Sequence, residues 1–229
     1  MTQLSLRPPR AVLFDLDGTL ADTAPDLAAA LNQLRIARAL EPTPYEQLRP
    51  VASAGARGLI GAAFGLKPGD EEYEALRVAF LDNYAAAIAT HSVLFDGIEA
   101  LLQELEQRGI KWGIVTNKQA RLTELLVPEI GLAHAACVIS GDTTPHPKPH
   151  PAPLLEAARR IDVSPQDCWY VGDDLRDIQA GNAAEMITIA AAWGYCGDSE
   201  PVTWQAHALA HTPQDVLKLI PSRREETRS

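Results

Sequence analysis

Cysteine is scarce in this sequence, and the few cysteines do not form the patterns that build sites. Cys137, Cys168 and Cys196 are the three cysteines among 229 residues, and no two of them form a C-x-x-C pair. We therefore expect neither a disulfide framework nor a zinc site. Cys137 and Cys168 lie in apolar runs, which predicts that they are small core residues.

Long apolar runs and an excess of positive charge are also missing. No N-terminal segment resembles a signal peptide, and no apolar run is long enough to cross a bilayer. The formal net charge is −10, so neither nucleic acid nor an anionic membrane is an expected partner. We expect a cytoplasmic protein, in which an anionic substrate needs a local positive site made by a metal ion, a lysine or an arginine.

Apolar runs of strand length are present, and in the later part of the chain they alternate with helical patterns. Strands are predicted at 11–14, 111–115, 137–140, 168–171 and 186–191, with a weaker one at 206–210. Helices are predicted at 98–107, 120–129, 152–160, 175–184 and 213–220. This alternation predicts an α/β fold with a Rossmann-like, doubly wound parallel sheet.

Residues 23–90 interrupt the alternation, because they carry helical patterns and turns without a convincing strand. Helices are predicted there at 23–40, 45–52, 58–64 and 71–89. We therefore expect an all-helical cap domain at 23–90, inserted into an α/β core made of 1–22 and 91–229, with a disordered tail at 221–229. A helical lid beside a catalytic strand end can exclude water and select the substrate. The alternative is a packing bundle with no role at the site.

The segment Asp15-Leu16-Asp17-Gly18-Thr19 follows the first apolar run directly. Residues two apart in extended backbone point to the same side, so Asp15 and Asp17 can converge at the carboxyl end of the strand. Converging carboxylates repel each other unless a cation or a shared proton relieves them, which favours a hard metal ion such as Mg²⁺. The alternative is a strand followed by an Asp-Gly turn with solvated acids.

Polar residues follow two further strands, at the ends where open parallel sheets bind ligands. Thr116 and Asn117 offer a hydroxyl and backbone N–H groups to a phosphate, although a helix cap is equally consistent with them. Lys148 lies in a proline-rich loop, which could hold it inward as a charge for an oxyanion; otherwise it is a surface lysine.

Three acids, Asp173, Asp174 and Asp177, surround the turn after the strand at 168–171. Three carboxylates this close together repel one another, which costs free energy unless a cation or a lysine compensates their charge. The alternative is an ordinary acid-rich helix N-terminus. In a doubly wound sheet, these acids and the Asp15/Asp17 pair would reach the same edge.

In combination and in this order, the motifs resemble the haloacid dehalogenase superfamily of aspartate-nucleophile hydrolases. The four motifs of that family are matched by Asp15-x-Asp17-Gly18-Thr19, Thr116, Lys148 and Gly172-Asp173-Asp174-x-x-Asp177. The resemblance covers nearly the whole chain, because the helical insertion occupies the place of the family's C1-type cap. It implies the core fold of that family.

Shorter segments resemble particular subgroups of the family. Val115-Thr116-Asn117-Lys118, Lys148-Pro149-His150-Pro151 and 171–174 are similar to the phosphoglycolate phosphatase-like subgroup. Within that subgroup, 53–57, 91–95 and 193–195 are similar to bacterial N-acetylmuramic acid 6-phosphate phosphatases. Neighbouring specificities share much of this finer pattern.

The resemblance implies Mg²⁺-dependent hydrolysis of a small phosphomonoester, that is, of a small anionic phosphorylated metabolite. Asp15 would attack phosphorus and form an aspartyl-phosphate, which divides one hard displacement into two. Asp17 would protonate the leaving alkoxide and later deprotonate the hydrolytic water. The Asp15 carboxylate, the Asp17 backbone carbonyl and Asp173 would hold Mg²⁺.

The remaining motif residues would bind the phosphoryl group or orient other groups of the site. The resemblance implies that Thr116, Asn117 and Lys148 hold phosphoryl oxygens, and that Asp174 and Asp177 orient Lys148 or metal-bound water.

In the cap, Arg57 is the residue expected to meet a substrate carboxylate, since flexible glycines lie around it. The alternative is that Arg57 is a surface residue. Both 2-phosphoglycolate and N-acetylmuramic acid 6-phosphate carry a carboxylate, so Arg57 does not choose between these two candidate substrates.

The expected phosphatase would work as a monomer or a homodimer, and three other functions compete with it. A dehalogenase would also use Asp15 but needs no acid at position 17, so Asp17 favours phosphoryl transfer. A sugar-phosphate phosphomutase shares all four motifs and the cap. A non-catalytic phospho-acceptor module would cluster acids and a lysine, but it has no use for a large helical lid.

Overall fold

A parallel sheet forms the centre of the computed structural model, which describes residues 6–197 and 199–221. Its strands are β1 Ala11–Phe14, β4 Lys111–Val115, β5 Val138–Ile139, β6 Cys168–Gly172, β7 Ile187–Ala191 and β8 Ala208–Ala210. Their order across the sheet is β5-β4-β1-β6-β7-β8, with every neighbouring pair parallel. The α/β fold with a doubly wound parallel sheet is therefore confirmed.

The helices fall into two groups along the chain. The inserted segment contributes α1 Ala24–Ala37, α2 Tyr45–Leu48, α3 Gly55–Phe64 and α4 Tyr73–Ala86. The later part of the chain contributes α5 Ile98–Gln107, α6 Ala120–Glu129, α7 Ala152–Arg160, α8 Leu175–Ala183 and α9 Pro213–Leu219. None of these described helices combines the length and apolar character that a membrane crossing requires.

The central strand β1 is buried on both faces, and its alternating side chains supply two separate cores. Val12 and Phe14 belong to one apolar cluster, which includes residues of α5 and α9. Ala11 and Leu13 belong to a second cluster, which includes residues of α7 and α8. Helices on both sides explain why the strand is apolar at every position instead of alternating with polar residues.

Most element bounds follow the sequence prediction, and the differences lie at local breaks. The predicted helix at 45–52 ends as α2 at Leu48, and a 3₁₀ turn at Arg49–Ala54 follows it. Pro50 explains the break, since proline cannot donate the hydrogen bond that continues an α-helix. Residues 222–229 of the predicted tail lie outside the described part of the chain.

A two-stranded antiparallel sheet, β2 Ala21–Asp22 with β3 Val93–Leu94, joins the two chain segments that connect the helical insertion to the core. Strands of two residues are too short to leave a hydrophobic period, so the sequence did not predict them. The buried Asp26 carboxylate on α1 ties down the return segment further. It accepts hydrogen bonds from His91 N, Ser92 N and Ser92 Oγ at 2.7–3.0 Å.

We expect Asp26→Asn to lower the free energy of unfolding by about 1–3 kcal/mol. In the wild type, backbone N–H groups donate to both oxygens of the carboxylate, whereas the amide of the variant replaces one of these oxygens by an N–H donor. Urea denaturation followed by circular dichroism measures the change. Asp82→Asn is the matched control on α4, since Asp82 is 60% exposed and its loss should cost less than about 1 kcal/mol. Equal losses in the two variants would contradict the role given to Asp26.

Candidate active site

The order of the sheet brings three of the predicted site residues to one edge. β1 lies between β4 and β6, with Phe14 opposite Ile114 on one side and Val171 on the other. Consequently Asp15, Thr116 and Asp173, which follow these strands, meet at the carboxyl edge of the sheet. All three are buried, with exposed fractions of 6%, 2% and 0%.

Lys148 lies at the centre of this edge, and its ammonium group is almost completely buried. Nζ is 2.7 Å from Asp15 Oδ1 and 2.7 Å from Asp177 Oδ1. It also donates to Val115 O at 2.9 Å and to the Tyr170 hydroxyl at 2.8 Å. Burial opposes the charged form of Lys148, but Asp15 and Asp177 outweigh that effect and raise its pKa. The lysine is therefore a fixed positive charge.

Asn117 holds the backbone of Lys148 in place. Its amide Nδ2 donates to Lys148 O at 3.0 Å, and its Oδ1 accepts from Lys148 N at 3.0 Å. Its neighbour Thr116 has a hydroxyl that accepts from Lys118 N at 3.1 Å. The side chain of Asn117 thus orients the loop that carries Lys148. The predicted role of Asn117 was instead to hold phosphoryl oxygens of the substrate.

Asp173 is held by donors from three parts of the chain. Its carboxylate accepts from Thr19 Oγ1 at 2.8 Å, from Tyr195 N at 2.9 Å and from Ser53 Oγ of the insertion at 3.1 Å. A Cβ atom at Gly18 or Gly194 would lie 2.2 Å from atoms of Asp173, so these two positions need glycine. Burial, with a contribution from Asp177, raises the pKa of Asp173 to about 7, although its hydrogen bonds counteract the rise.

Asp15, Asp173 and Asp177 form a group in which one carboxylate oxygen of each residue lies within 4.8 Å of those of the other two. Burial raises the pKa of Asp15 well above its usual value; Asp177 and Asp173 raise it further, while Lys148 lowers it. In their ionised form the three carboxylates outnumber the one ammonium, and all the donor atoms that they offer are oxygen. This donor set fits a hard divalent cation.

The predicted metal contact of Asp17 is its backbone carbonyl, and its side chain lies apart from the carboxylate group. The Asp17 carboxylate lies 3.1 Å from Lys118 Nζ and accepts a hydrogen bond from Thr23 Oγ1. Lys118 in turn donates to the Tyr84 hydroxyl on α4 at 3.1 Å. Asp177 takes the third place in the carboxylate group, so only the Asp17 backbone carbonyl is left for the predicted metal contact.

A cavity lies between the sheet edge and the helical insertion. Asp15, Asp17 and Lys148 line it from the sheet side, and Arg77 and Tyr84 line it from α4. The insertion therefore covers the strand ends on which the predicted catalytic residues lie.

Arg57 does not line the cavity. It is exposed on α3, whose buried residues are Leu59, Ile60 and Ala63. Arg77 is the arginine of the insertion that the cavity includes, and the sequence analysis did not single it out.

Comparisons with known proteins show the family of this chain. Residues 9–185 match the model of a hydrolase family described as haloacid dehalogenase-like hydrolase. The chain belongs to this family. A protein of Xanthomonas campestris named phosphoglycolate phosphatase is 50% identical over 213 residues, which cover 92% of this chain and 96% of that protein. A Pseudomonas putida protein named N-acetylmuramic acid 6-phosphate phosphatase is 40% identical and covers 93% of this chain and 96% of its own length.

A solved structure shows the same fold. The crystal structure of a Haemophilus somnus protein, described as a predicted phosphoglycolate phosphatase, superposes on this haloacid dehalogenase-like hydrolase with a TM-score of 0.80. The two share 24% of their residues, and the match covers 96% of this chain and 100% of the other. At this identity the likeness supports the fold alone.

The two predicted orienting acids of this hydrolase have different contacts. Asp177 reaches Lys148, whereas Asp174 binds Arg176 at 2.7–2.8 Å through both carboxylate oxygens and is the N-cap of α8. Hydrogen bonds from Arg176 lower the pKa of Asp174 against the opposing effect of burial. Arg176 also donates to Ser53 O at 2.9 Å, which joins α8 to the insertion.

Tyr195 is a further residue that the sequence analysis did not assign a role. Its hydroxyl accepts from Thr23 N at 2.8 Å and Ala24 N at 2.9 Å, and it donates to Asp22 Oδ1 at 2.9 Å. The backbone N–H of the same residue binds Asp173. Tyr195 therefore links the carboxylate group to the segment where the chain enters the insertion. Its position in a loop after β7 gives no local signal of this contact.

We expect Tyr195→Phe to lower the free energy of unfolding by about 1–3 kcal/mol, because two buried backbone N–H groups at the start of α1 lose their acceptor. Thermal and urea denaturation of the purified variant measure the loss. Tyr73→Phe, at a buried tyrosine of α4, is the matched control and should change stability by less than about 1 kcal/mol. A Tyr195→Phe variant as stable as this control would show that the hydroxyl does not hold the segment.

Proposed function

We propose that this protein is a Mg²⁺-dependent phosphatase that hydrolyses a small phosphomonoester through an aspartyl-phosphate on Asp15. The observation that carries the proposal is the buried ion pair between Asp15 and Lys148, 2.7 Å long, at the edge of a covered cavity. A carboxylate and an ammonium at that place supply a nucleophile and a charge for the phosphoryl oxygens. Asp17, two residues along, lines the same cavity.

In the first step, a carboxylate oxygen of Asp15 attacks phosphorus, and the bond from phosphorus to the ester oxygen breaks. Asp17 gives its proton to the departing alkoxide, which leaves as an alcohol. In the second step, water attacks the aspartyl-phosphate, the bond from Asp15 to phosphorus breaks, and Asp17 takes the proton of the water. Phosphate leaves, and both carboxyl groups return to their starting state.

Lys148 and Thr116 hold the phosphoryl oxygens in this proposal. The Lys148 ammonium also lowers the pKa of Asp15 and so favours the carboxylate form that attack requires, in opposition to burial, which raises this pKa. Its other contacts, to Asp177 and Tyr170, fix the ammonium so that it meets the phosphoryl group without rearrangement. Asn117 acts through the backbone of Lys148, as a positioning residue.

Asp15, Asp173 and Asp177 would hold the Mg²⁺ ion, with the backbone carbonyl of Asp17 as the family resemblance implies. Bound there, the ion supplies positive charge that offsets the repulsion between an anionic nucleophile and an anionic phosphate. Burial raises the pKa values of Asp15 and Asp173, and repulsion from Asp177 raises them further. A divalent cation at this place would relieve that repulsion.

Residues 23–90 form the cap of this enzyme in our proposal, over a core of residues 1–22 and 91–229. Ser53 and Arg176 join the cap to the core beside the carboxylates, and Lys118 joins Asp17 to Tyr84 of the cap. A closed cap would exclude bulk water during the first step and select the alcohol part of the substrate.

For the substrate we propose a phosphorylated carboxylic acid. The names of the relatives support this class, since they specify 2-phosphoglycolate and N-acetylmuramic acid 6-phosphate, and both molecules carry a carboxylate. Release of free phosphate, with no isomerised sugar phosphate, separates this activity from that of a phosphomutase.

We expect Asp15→Asn to lower kcat for any accepted phosphomonoester by about 10³-fold or more, because the amide is not a nucleophile. Phosphate release in the presence of Mg²⁺ measures the rate, and circular dichroism checks that the variant folds. Asp82→Asn, an exposed cap acid, is the control with full activity. Turnover near that of the wild type in Asp15→Asn would contradict an aspartyl-phosphate mechanism.

Asp173→Asn should raise the Mg²⁺ concentration for half-maximal activity by about 10- to 100-fold, because one carboxylate of the metal group is lost. Titration of the metal-stripped protein with MgCl₂ gives this concentration for the wild type, the variant and Asp82→Asn. The wild type should lose activity in EDTA and regain it with Mg²⁺. Activity that persists in excess EDTA would rule out the metal in this proposal.

A further inference from the structure

One face of α4 forms a wall of the cavity. Arg77, Phe80, Leu81 and Tyr84 all line it, and their spacings of three, four and seven residues place them on the same side of a helix. Phe80 and Leu81, between the two ends, are apolar. The polar groups that α4 presents to the cavity are therefore the Tyr84 hydroxyl at one end and the Arg77 guanidinium at the other.

The Tyr84 end of this wall adjoins the reacting groups. The Tyr84 hydroxyl accepts a hydrogen bond of 3.1 Å from Lys118, and the ammonium of Lys118 lies 3.1 Å from the Asp17 carboxylate. Asp17 is the proposed proton donor to the leaving oxygen. The ester oxygen of a bound substrate therefore lies near this end.

The Arg77 end lies farther from the chemistry. Arg77 precedes Tyr84 by seven residues, which is about 10 Å along a helix axis. Arg77 Nε donates to both carboxylate oxygens of Glu74 at 2.9 and 3.0 Å. Because Glu74 precedes Arg77 by almost one turn, the guanidinium extends away from Tyr84.

The carboxylate that pairs with Arg77 lies outside the cavity, whereas the carboxylates that pair with the other cations of the cavity lie inside it. Lys148 is bound to Asp15 and Asp177, Lys118 is 3.1 Å from Asp17, and Arg176 is bound to Asp174. These carboxylates all line the cavity themselves. The partner of Arg77, Glu74, does not line the cavity, and its side chain is 67% exposed.

An exposed ion pair contributes little free energy, because water already solvates both groups. A carboxylate inside the cavity can therefore replace Glu74 on Arg77 at small cost. Such a carboxylate would meet a planar guanidinium that can bind both of its oxygens, beside apolar side chains that limit competition from water.

We propose that Arg77 is a specificity-determining residue, which binds the carboxylate of an extended substrate at the end of the α4 face that is remote from the reacting groups. This inference rests on the proposed phosphatase function. It favours a carboxylated sugar phosphate over 2-phosphoglycolate, because the latter has one carbon between its ester oxygen and its carboxylate and does not reach from Asp17 to Arg77.

The test compares KM and kcat for three substrates that differ in whether they carry a carboxylate and in how far it lies from the phosphate. N-Acetylmuramic acid 6-phosphate carries a carboxylate far from its phosphate, on a lactyl ether group. N-Acetylglucosamine 6-phosphate is the same sugar phosphate without the lactyl group, and 2-phosphoglycolate carries its carboxylate close to the phosphate. Arg77→Gln should raise KM for the first by about tenfold or more, since a charged hydrogen-bond pair is lost. KM for the other two should change less than about twofold. In all three cases kcat should be retained, because Arg77 lies away from the reacting atoms.

Glu74→Gln tests the same contact in the opposite direction. It releases Arg77 from its competitor, so KM for N-acetylmuramic acid 6-phosphate should fall by about two- to fivefold. Arg38→Gln is the matched control, since Arg38 is an exposed arginine of the insertion outside the cavity. It should leave every KM unchanged.

The outcomes separate this inference from the proposed function. Wild-type protein that releases phosphate from none of the three substrates would overturn the phosphatase itself. Turnover by the wild type, combined with equal KM changes for all three substrates in Arg77→Gln, would overturn the role of Arg77 alone. An increase in KM for the extended substrate in Arg57→Ala, with none in Arg77→Gln, would assign the carboxylate to Arg57 and overturn our inference as well.

Discussion

The ammonium group of Lys148 lies almost fully buried between the carboxylates of Asp15 and Asp177, at 2.7 Å from each. An isolated carboxylate at such a depth would take up a proton, because burial disfavours its charged form. The positive charge of Lys148 offsets part of the free energy that burial of a carboxylate costs. Asp15 and Asp177 in turn raise the pKa of Lys148 and so favour its charged form. The carboxylate form of Asp15, on which the candidate chemistry depends, is therefore favoured by Lys148 and opposed by burial.

Several contacts serve to hold this ammonium group in place. Asn117 binds the backbone of Lys148 on both its N–H and its carbonyl, and the Tyr170 hydroxyl binds Nζ from β6. One lysine does not balance three ionised carboxylates, so full ionisation of the three acids requires a further positive charge. Burial makes an uncompensated negative charge unfavourable, and a divalent cation bound to the carboxylates would neutralise that charge.

The connection between the core and the helical insertion runs through the same group of residues. Asp173 accepts hydrogen bonds from Ser53 of the insertion and from the backbone of Tyr195. The Tyr195 hydroxyl binds the first residues of α1, and its ring lies near Phe95 and Arg49. The position of the insertion and the geometry of the carboxylates are thus set by shared contacts.

The sequence by itself determined the parallel α/β core and the residues at its carboxyl edge, since apolar strands and the polar residues after them are local patterns that meet at one edge in any doubly wound sheet. Tertiary structure decided which side chains meet there. It brought Asp177 to the carboxylate group and turned the Asp17 side chain towards Lys118, and it placed Arg77 in the cavity with Arg57 outside. Such choices depend on contacts between residues far apart in the chain, and no local pattern records them.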